Sequence, residues 1–155
     1  MKLEKLIDFV YFDAPQELEK FIREHETINL DIRTEGGETP LMAAIREGKG
    51  ECATVLLEHG ANPNFGNSNG WYPLHFSIQE RMFNVIQLLI EKGADVNLQD
   101  DLYGNTPIAV AIGKTQDKEI IEYLASKGAN LDLPNKAGVT ARQAAQLFGI
   151  DIGIG

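Results

Sequence analysis

The chain has 155 residues, of which 43% are hydrophobic, and its 14 lysines and arginines against 23 aspartates and glutamates give a formal charge of −9. This length and apolar content fit one folded domain, and the acidity argues against nucleic-acid binding, because phosphates are bound mainly by lysine and arginine. A single cysteine, Cys52, excludes an internal disulfide, and no apolar run reaches the ~18 residues of a membrane helix, so we expect a cytoplasmic protein that binds neither membrane nor nucleic acid.

The N-terminal segment is predicted to be a pair of helices that caps one end of the domain. Residues 3–11 and 15–25 form the two helices, and the Ala14-Pro15 dipeptide marks the turn between them. The second helix is rich in charged side chains, which suits a solvent-facing end of the molecule.

The rest of the chain repeats itself with a period near 33 residues. One phrase occurs as GGETPLMAAI, NGWYPLHFSI and YGNTPIAVAI, beginning at residues 36, 69 and 103, with a weaker copy from residue 137. A second phrase, out of step with the first, occurs as HGANPN, KGADVN and KGANLD, beginning at residues 59, 92 and 127. Two independent phrases locked to one period indicate a stack of similar structural units.

Each unit is predicted to contain a short helix, a tight loop, a second helix and an extended β-turn finger. A threonine able to cap the first helix through its side-chain oxygen occurs in three units: Thr39, Thr106 and Thr140. The second helices carry leucines at equivalent positions, which we expect to be buried between units: Leu56, Leu89 and Leu124. Each second helix is followed by a glycine that can take the left-handed conformation. Helices this short are stable only when they stack.

These phrases resemble those of the ankyrin repeat family, whose TPLHxAA and GADVN sequences match Thr39–Ala44, Pro73–His75 and Gly93–Asn97. The resemblance covers about residues 27–148. It implies an all-α fold, an ankyrin-repeat solenoid of helix-turn-helix units with β-turn fingers. It also implies that His75 braces the neighbouring turn by a hydrogen bond.

The organisation that follows is a single domain over residues 1–155. Its expected parts are an N-terminal capping helix pair at 1–26, repeats at 27–59, 60–92 and 93–127, a C-terminal capping repeat at 128–148 and a tail at 149–155.

The sequence offers no catalytic or metal-binding motif, so we expect neither enzyme activity nor a cofactor. The three histidines fall at unrelated positions, and a lone cysteine makes no zinc site. Cys52 occupies a usually aliphatic position of a second helix, which predicts a buried, inert thiol. The pair Asp100 and Asp101 lacks the further spaced oxygens that a calcium loop needs.

We expect a partner to bind on the concave side of the stack, which the fingers and the first helices line. The exposed positions flank the turn glycine of each finger or lie near the C-terminal end of a first helix. They are Arg33, Glu35, Glu38, Arg46, Glu47, Ser68, Asn69, Trp71, Gln79, Glu80, Leu102, Tyr103, Asn105 and Lys114, with Lys136 and Val139 in the last turn.

Aromatic side chains make the middle of this surface distinctive. Trp71 follows a turn glycine, and Tyr72 takes the place of the capping threonine. The third finger carries one extra residue, which we expect to push Leu102 and Tyr103 outward. Tryptophan and tyrosine are the side chains most enriched at binding hot spots. The alternative is that Trp71 and Tyr103 stack on each other and only stiffen the array.

The resemblance implies recognition of another protein by a chain that is a monomer on its own. The most specific hypothesis is an immunity-type inhibitor that neutralises a basic toxin. Small bacterial ankyrin repeat proteins resemble such inhibitors, and a net negative charge attracts a basic partner. An adaptor or regulatory subunit is the alternative, and a purely structural module is a more distant one.

Overall fold

The structure, a computed structural model, describes residues 2–153, and within that range its regular elements are all helical. The helices are α1 Lys2–Tyr11, α2 Pro15–Glu24, α3 Pro40–Arg46, α4 Gly50–Glu58, α5 Pro73–Gln79, α6 Phe83–Glu91, α7 Pro107–Val110, α8 Lys118–Ser126 and α9 Ala141–Phe148. A π-helical turn, Ala111–Thr115, continues α7. The predicted all-α class is therefore confirmed. Residue 1 of the expected cap and residues 154 and 155 of the expected tail lie outside the described residues.

The helices stack in two layers. In the first layer α1, α3, α5 and α7 pack side by side in chain order, and α9 packs against α7 and the π turn. In the second layer α2, α4 and α6 follow the same order, and the Phe83 ring of α6 meets the Tyr123 ring of α8 with 5.4 Å between centroids. The leucines predicted to repeat in the second helices are fully buried, which confirms the register: Leu56, Leu89 and Leu124.

The N-terminal helix pair stacks as the later pairs do, although it carries neither phrase. Helix α1 packs on α3 and α2 packs on α4, just as α3 packs on α5 and α4 on α6. The turn inside each pair also has one residue with positive φ at the same place: Asp13 (53°), Gly48 (68°), Arg81 (55°) and Gln116 (51°). The pair therefore extends the stack as a further structural unit.

The predicted helix caps are present. A threonine side-chain oxygen accepts a hydrogen bond from the backbone three residues ahead, at 3.2 Å for Thr39, 3.3 Å for Thr106 and 3.2 Å for Thr140. Tyr72, which replaces threonine at the start of α5, makes no such bond. Helix α5 therefore begins without a side-chain cap, whereas α3, α7 and α9 each begin with one.

The last asparagine of the second phrase joins consecutive units. The Asn64 side chain donates to the Gly93 carbonyl at 2.9 Å and accepts from the Asp95 amide at 2.8 Å. Asn97 repeats both bonds one unit later, with the Gly128 carbonyl at 3.2 Å and the Asn130 amide at 2.7 Å. The phrase recurs because the same two bonds are needed at each junction.

Four fingers, residues 33–39, 66–72, 99–106 and 134–140, run side by side along one edge of the stack. Each is tied to the next by one backbone hydrogen bond, from Ser68 to the Gly37 carbonyl (3.0 Å), from Asp101 to Gly70 (3.0 Å) and from Lys136 to Tyr103 (2.9 Å). The extra residue of the third finger shifts the last acceptor from the turn glycine to Tyr103. As predicted, Leu102 and Tyr103 are exposed, at 48% and 54%.

A second extra residue lies in the first helix of the same unit. The second phrase begins at His59, Lys92 and Lys127, so the spacing grows from 33 to 35 residues, and the finger accounts for only one of the two. The other is absorbed in the π turn Ala111–Thr115, where the helix widens by one residue. This turn carries Gly113 and Lys114 on the exposed side of the helix.

Candidate functional site

The predicted partner-binding residues belong to the surface of the fingers and of the C-terminal ends of α3, α5 and the π turn. We call this surface the finger face. All fourteen predicted side chains are exposed except Glu38, Trp71 and Asn105, which are half-buried. The helix ends and the fingers meet there, because Arg46 of α3 reaches Glu38 and Lys114 of the π turn reaches Trp71.

Arg46 neutralises two of the acidic residues that we expected to attract a partner. Its guanidinium makes a bidentate contact with Glu38, at 3.0 and 3.1 Å, and pairs with Glu47. The hydrogen bond to Glu38 is the main reason that the pKa of Arg46 is raised. Glu38 and Glu47 are therefore not free charges, whereas Glu35 and Glu80 have no ion pair within residues 2–153.

Arg33 holds two fingers together. Its guanidinium donates to the Gly66 carbonyl of the next finger at 2.9 and 3.2 Å and lies 4.3 Å from the centre of the Phe65 ring. Gln99 makes the equivalent contact one finger later, with 2.9 Å between its amide nitrogen and the Pro134 carbonyl. These bonds support the stack, so Arg33 has a structural role alongside its exposure.

Trp71 contacts Phe76 of its own unit and Lys114 of the next unit. Its ring centre lies 5.5 Å from that of Phe76, and the Lys114 ammonium lies 5.9 Å from the indole centre. Among residues 2–153 no ring contact joins Trp71 to Tyr103, so the stacking alternative is wrong. Tyr103 is left with a largely exposed ring on the neighbouring finger.

The two sequence features at the base of the third finger are structural. The buried carboxylate of Asp100 accepts from the backbone amides of Tyr103 at 2.6 Å and Asn105 at 2.9 Å. His75 donates from Nε2 to the Asn105 carbonyl at 2.9 Å, which confirms the predicted brace. Desolvation lowers the pKa of His75, and the bond to Asn105 opposes that shift.

A groove of about 280 Å³ separates the third finger and α7 from the fourth finger and α9. Its lining includes Asn105, Ala109, Gly113, Lys114, Asn135 and Val139. Two predicted residues, Asn105 and Lys114, thus come together there with Val139 of the last turn. The rim is partly fixed, because Asn135 donates to the Asn105 side chain at 2.9 Å.

The residues predicted from sequence omit two exposed aromatic residues that adjoin this face. Tyr11 ends helix α1 and Phe12 follows it, as Arg46 ends α3 and Glu47 follows it, and the two aromatic residues are 48% and 80% exposed. The Tyr11 hydroxyl accepts from Arg46 at 3.3 Å, which joins the first helix pair to the finger face. The signal that could have found them is the matching spacing of Asp13 and Gly48 before the second helices.

Residues 2–153 offer few features suited to metal binding, thiol chemistry or membrane insertion. They contain no group of three or more histidine, cysteine, aspartate and glutamate side chains placed to hold a metal ion. Cys52 is buried as predicted, and desolvation, aided by the nearby Asp13 charge, raises its pKa to about 11. None of the described helices is both long and apolar enough to cross a membrane.

Comparison with known proteins gives one consistent family. A family model described as ankyrin repeats (3 copies) matches residues 6–100 and again residues 62–136. The human transient receptor potential cation channel subfamily A member 1 is 35% identical over 122 residues, which are 78% of this chain and 11% of that protein. The human ankyrin repeat and SOCS box protein 6 is 32% identical over 108 residues, 69% of this chain and 26% of that protein.

A viral protein shows the same kind of match. The putative ankyrin repeat protein FPV031 of fowlpox virus is 33% identical over 125 residues, 78% of this chain and 36% of that protein. This chain therefore spans between 11% and 36% of the length of these three relatives.

Proposed function

Because the chain belongs to the ankyrin repeat family, whose repeats generally mediate protein–protein interaction, we propose that it binds a partner protein through the finger face. One observation carries the proposal. The stack is held by Arg33, Gln99 and the junction asparagines, yet the same face presents large side chains that no finger-to-finger bond uses. We also propose that the free chain is a monomer in the cytoplasm.

The exposed side chains in question are Leu102, Tyr103 and Lys114, with half-buried Trp71 beside them. When a partner covers a large apolar side chain that was exposed to water, the free energy of the complex falls. Tryptophan and tyrosine near the centre of an interface are frequent hot spots. These residues supply the recognition, and the bonded residues around them supply a rigid base.

As the specific role we propose an immunity-type inhibitor that neutralises a basic toxin. The formal charge of −9 supports a basic partner, because it attracts positive proteins at long range. Of the glutamates predicted for this face, Glu35 and Glu80 have no ion pair within residues 2–153, and they support a basic partner locally. The pairing of Glu38 and Glu47 with Arg46 reduces the attraction at the N-terminal end of the face.

The alternative role is that of an adaptor or regulatory subunit. The observation that favours it is that the matched segment is 11% to 36% of larger relatives, one of which is named for a SOCS box besides its ankyrin repeats. In such proteins the matched segment is one part of a longer chain. A purely structural module would not explain why Leu102 and Tyr103 are exposed on this face.

Affinity capture from the native source tests the proposal. The parent chain is compared with a variant carrying Trp71→Ala and Tyr103→Ala, and with a control carrying Leu147→Ala on the exposed side of α9. We expect mass spectrometry to find a protein that the parent and the control retain and the double variant loses. Equal recovery by all three chains contradicts the proposal. A recovered protein that is basic and arrests growth unless this chain is co-expressed supports the inhibitor over the adaptor.

A further inference from the structure

We propose that the groove between the third and fourth fingers is the anchoring subsite of the finger face, and that it takes a bulky apolar side chain lying next to a carboxylate in the partner protein. The inference rests on the proposed function and adds the chemistry that the partner presents. It follows from three features of the groove: where the repeat is irregular, how large the lining residues are, and which charge is unpaired.

Both departures from the repeat length border this groove. The third finger, which holds one extra residue, lines the groove through Asn105. The extra residue in the following helix makes the π turn Ala111–Thr115, which lines the groove through Gly113 and Lys114. Neither insertion is needed for stacking, since the other units stack without one. π turns inside helices occur often at functional sites. Two independent insertions that meet at one groove point to binding there.

The lining leaves room for a side chain. Ala109, Gly113 and Ala144 contribute at most a methyl group each. A Cβ added to Gly113 would meet no atom within 4 Å. Val139, which is 44% exposed, and the apolar part of Lys114 form the sides. A leucine-sized or phenylalanine-sized side chain therefore finds apolar walls that now face water, and its burial is favourable.

The charge at the groove is positive, in contrast to the chain as a whole. Lys114 has no carboxylate partner among residues 2–153, and its ammonium is stacked only on Trp71. The other cations of the finger face are engaged: Arg46 by Glu38 and Glu47, and Arg33 and Lys136 by the Gly66 and Asp101 carbonyls. Because the net charge of −9 disfavours an acidic partner at long range, a carboxylate gains only by contact with Lys114. This favours an apolar residue flanked by one acid over a generally acidic partner.

A displayed library of random twelve-residue peptides is the probe. Peptides are selected on the full chain, sequenced and synthesised, and their affinities are measured by isothermal titration calorimetry. The groove variants are Gly113→Leu, which fills it, and Lys114→Glu, which reverses its charge. The matched controls are Gly113→Ala, which leaves the groove open, and Lys118→Glu, which makes the same charge change on α8. Thermal unfolding of every variant reports on the fold.

We expect the selected peptides to share an apolar residue next to aspartate or glutamate. Gly113→Leu and Lys114→Glu should each weaken binding about tenfold or more, while both controls bind as the parent does. Replacing the peptide acid by lysine should restore binding to Lys114→Glu. Selected peptides that lack the acid, or that bind Gly113→Leu as tightly as the parent, overturn the groove proposal, and so does the absence of any enriched peptide. If peptides that do not depend on the groove still bind Trp71→Ala more weakly than the parent, the finger-face function survives. If they depend on neither the groove nor Trp71, the finger-face function fails as well.

Discussion

His75 and Asn105 join two units of the stack through one hydrogen bond, 2.9 Å long, between the imidazole Nε2 and a backbone carbonyl. The imidazole is fully buried, and its second nitrogen, Nδ1, has no hydrogen-bond partner. Because a carbonyl only accepts, Nε2 carries the proton and Nδ1 has a bare lone pair. The ring is thus held in its neutral form between α5 and the third finger.

This arrangement predicts a loss of stability below neutral pH. Desolvation lowers the pKa of His75 in the folded state from its ordinary value of 6.5. The unfolded chain therefore binds a proton first as the pH falls below about 6.5, and folding loses up to about 1.4 kcal/mol per pH unit until the folded-state pKa is reached. The contribution is complete above that range.

His75→Gln is the matched variant, because the amide of glutamine can still donate to the Asn105 carbonyl but does not titrate. Urea unfolding at pH 7.5 and pH 5 should show a smaller fall in the free energy of unfolding for the variant than for the parent. Carboxylates titrate alike in both chains, so the difference isolates the histidine. Parallel losses in the two chains would mean that the buried ring is protonated without penalty.

The core leucines predict a severe effect of truncation. Leu89 is fully buried in α6, and Leu89→Ala should lower the free energy of unfolding by about 2–5 kcal/mol through lost burial and the cavity left behind. Leu147→Ala makes the same chemical change at a position that is 81% exposed and should cost less than about 0.5 kcal/mol. Denaturant titration of both measures the contrast. A loss below about 1 kcal/mol at Leu89 would mean that the helix packing is misplaced.

At Tyr72 the structure shows side-chain contacts on which a prediction from sequence depends. Replacing it with threonine should restore the missing cap of α5, and the sequence alone predicts a stabilisation of the free protein by roughly 0.5–1 kcal/mol. That expectation requires that the ring makes no large contact. The hydroxyl donates to Asp101 at 3.2 Å, and a Cβ on Gly66 would lie 2.9 Å from the ring, so the ring packs closely on that glycine. Tyr72→Thr therefore removes contacts while it adds the cap.

A comparison of two variants separates the terms. Tyr72→Val and Tyr72→Thr lose the same ring and have nearly the same shape, but only threonine supplies the capping oxygen. We expect Tyr72→Thr to exceed Tyr72→Val by about 1 kcal/mol in free energy of unfolding, whichever way each compares with the parent. Equal stabilities would indicate that α5 does not need a side-chain cap.

The turn at Gln116 predicts a stabilising substitution. Its φ of 51° lies in the left-handed region, where Gly48 stands in the equivalent turn two helix pairs earlier. The left-handed conformation costs a residue with a Cβ about 1–2 kcal/mol, partly offset by the greater freedom of glycine in the unfolded chain. Gln116→Gly should therefore stabilise the protein by about 0.5–1 kcal/mol in thermal or urea unfolding. Gln116→Ala, as the control, should give no such gain.

The repeated phrases were enough to predict the stack, because caps and junction bonds need the same residue at each unit. Thr39, Thr106 and Asn64 illustrate this, since each makes a bond to nearby backbone that depends on residue type and spacing alone. The pair α1 and α2 was predicted only as a cap, because it lacks both phrases, and its stacking as a further unit rests on apolar burial.

The candidate surface was harder to predict than the fold. Exposure of the chosen positions follows from the repeat, but their mutual contacts do not. The pairing of Glu38 with Arg46 depends on how a finger lies over a helix end eight residues away. The π turn that presents Lys114 results from the second extra residue of the same unit, which the repeated phrases do not reveal. It is visible in sequence only as the 35-residue spacing from Lys92 to Lys127.

Binding kinetics with the captured partner give the last prediction, which separates charge from burial. If the partner is basic, Glu35→Gln and Glu80→Gln should slow association at low salt, because they remove the unpaired acids. Added salt should reduce the difference in association rate between variant and parent, because it screens charges that lie farther apart than a Debye length of about 8–10 Å. Glu38→Gln should slow association less, because Arg46 already neutralises that carboxylate. The measurement is surface-based binding at two ionic strengths.

Trp71→Ala should act on dissociation instead. A desolvated aromatic anchor at an interface is often worth about 2 kcal/mol or more, which corresponds to an off-rate roughly 30-fold faster. The indole also packs on Phe76 with 5.5 Å between ring centres, so the variant loses some fold stability as well. Phe76→Leu loosens the same packing but keeps the indole, and it should leave the off-rate within about twofold of the parent. If Trp71→Ala dissociates no faster than Phe76→Leu and association ignores salt, the partner does not bind the finger face, and the exposed Phe12 at the end of α1 becomes the leading position.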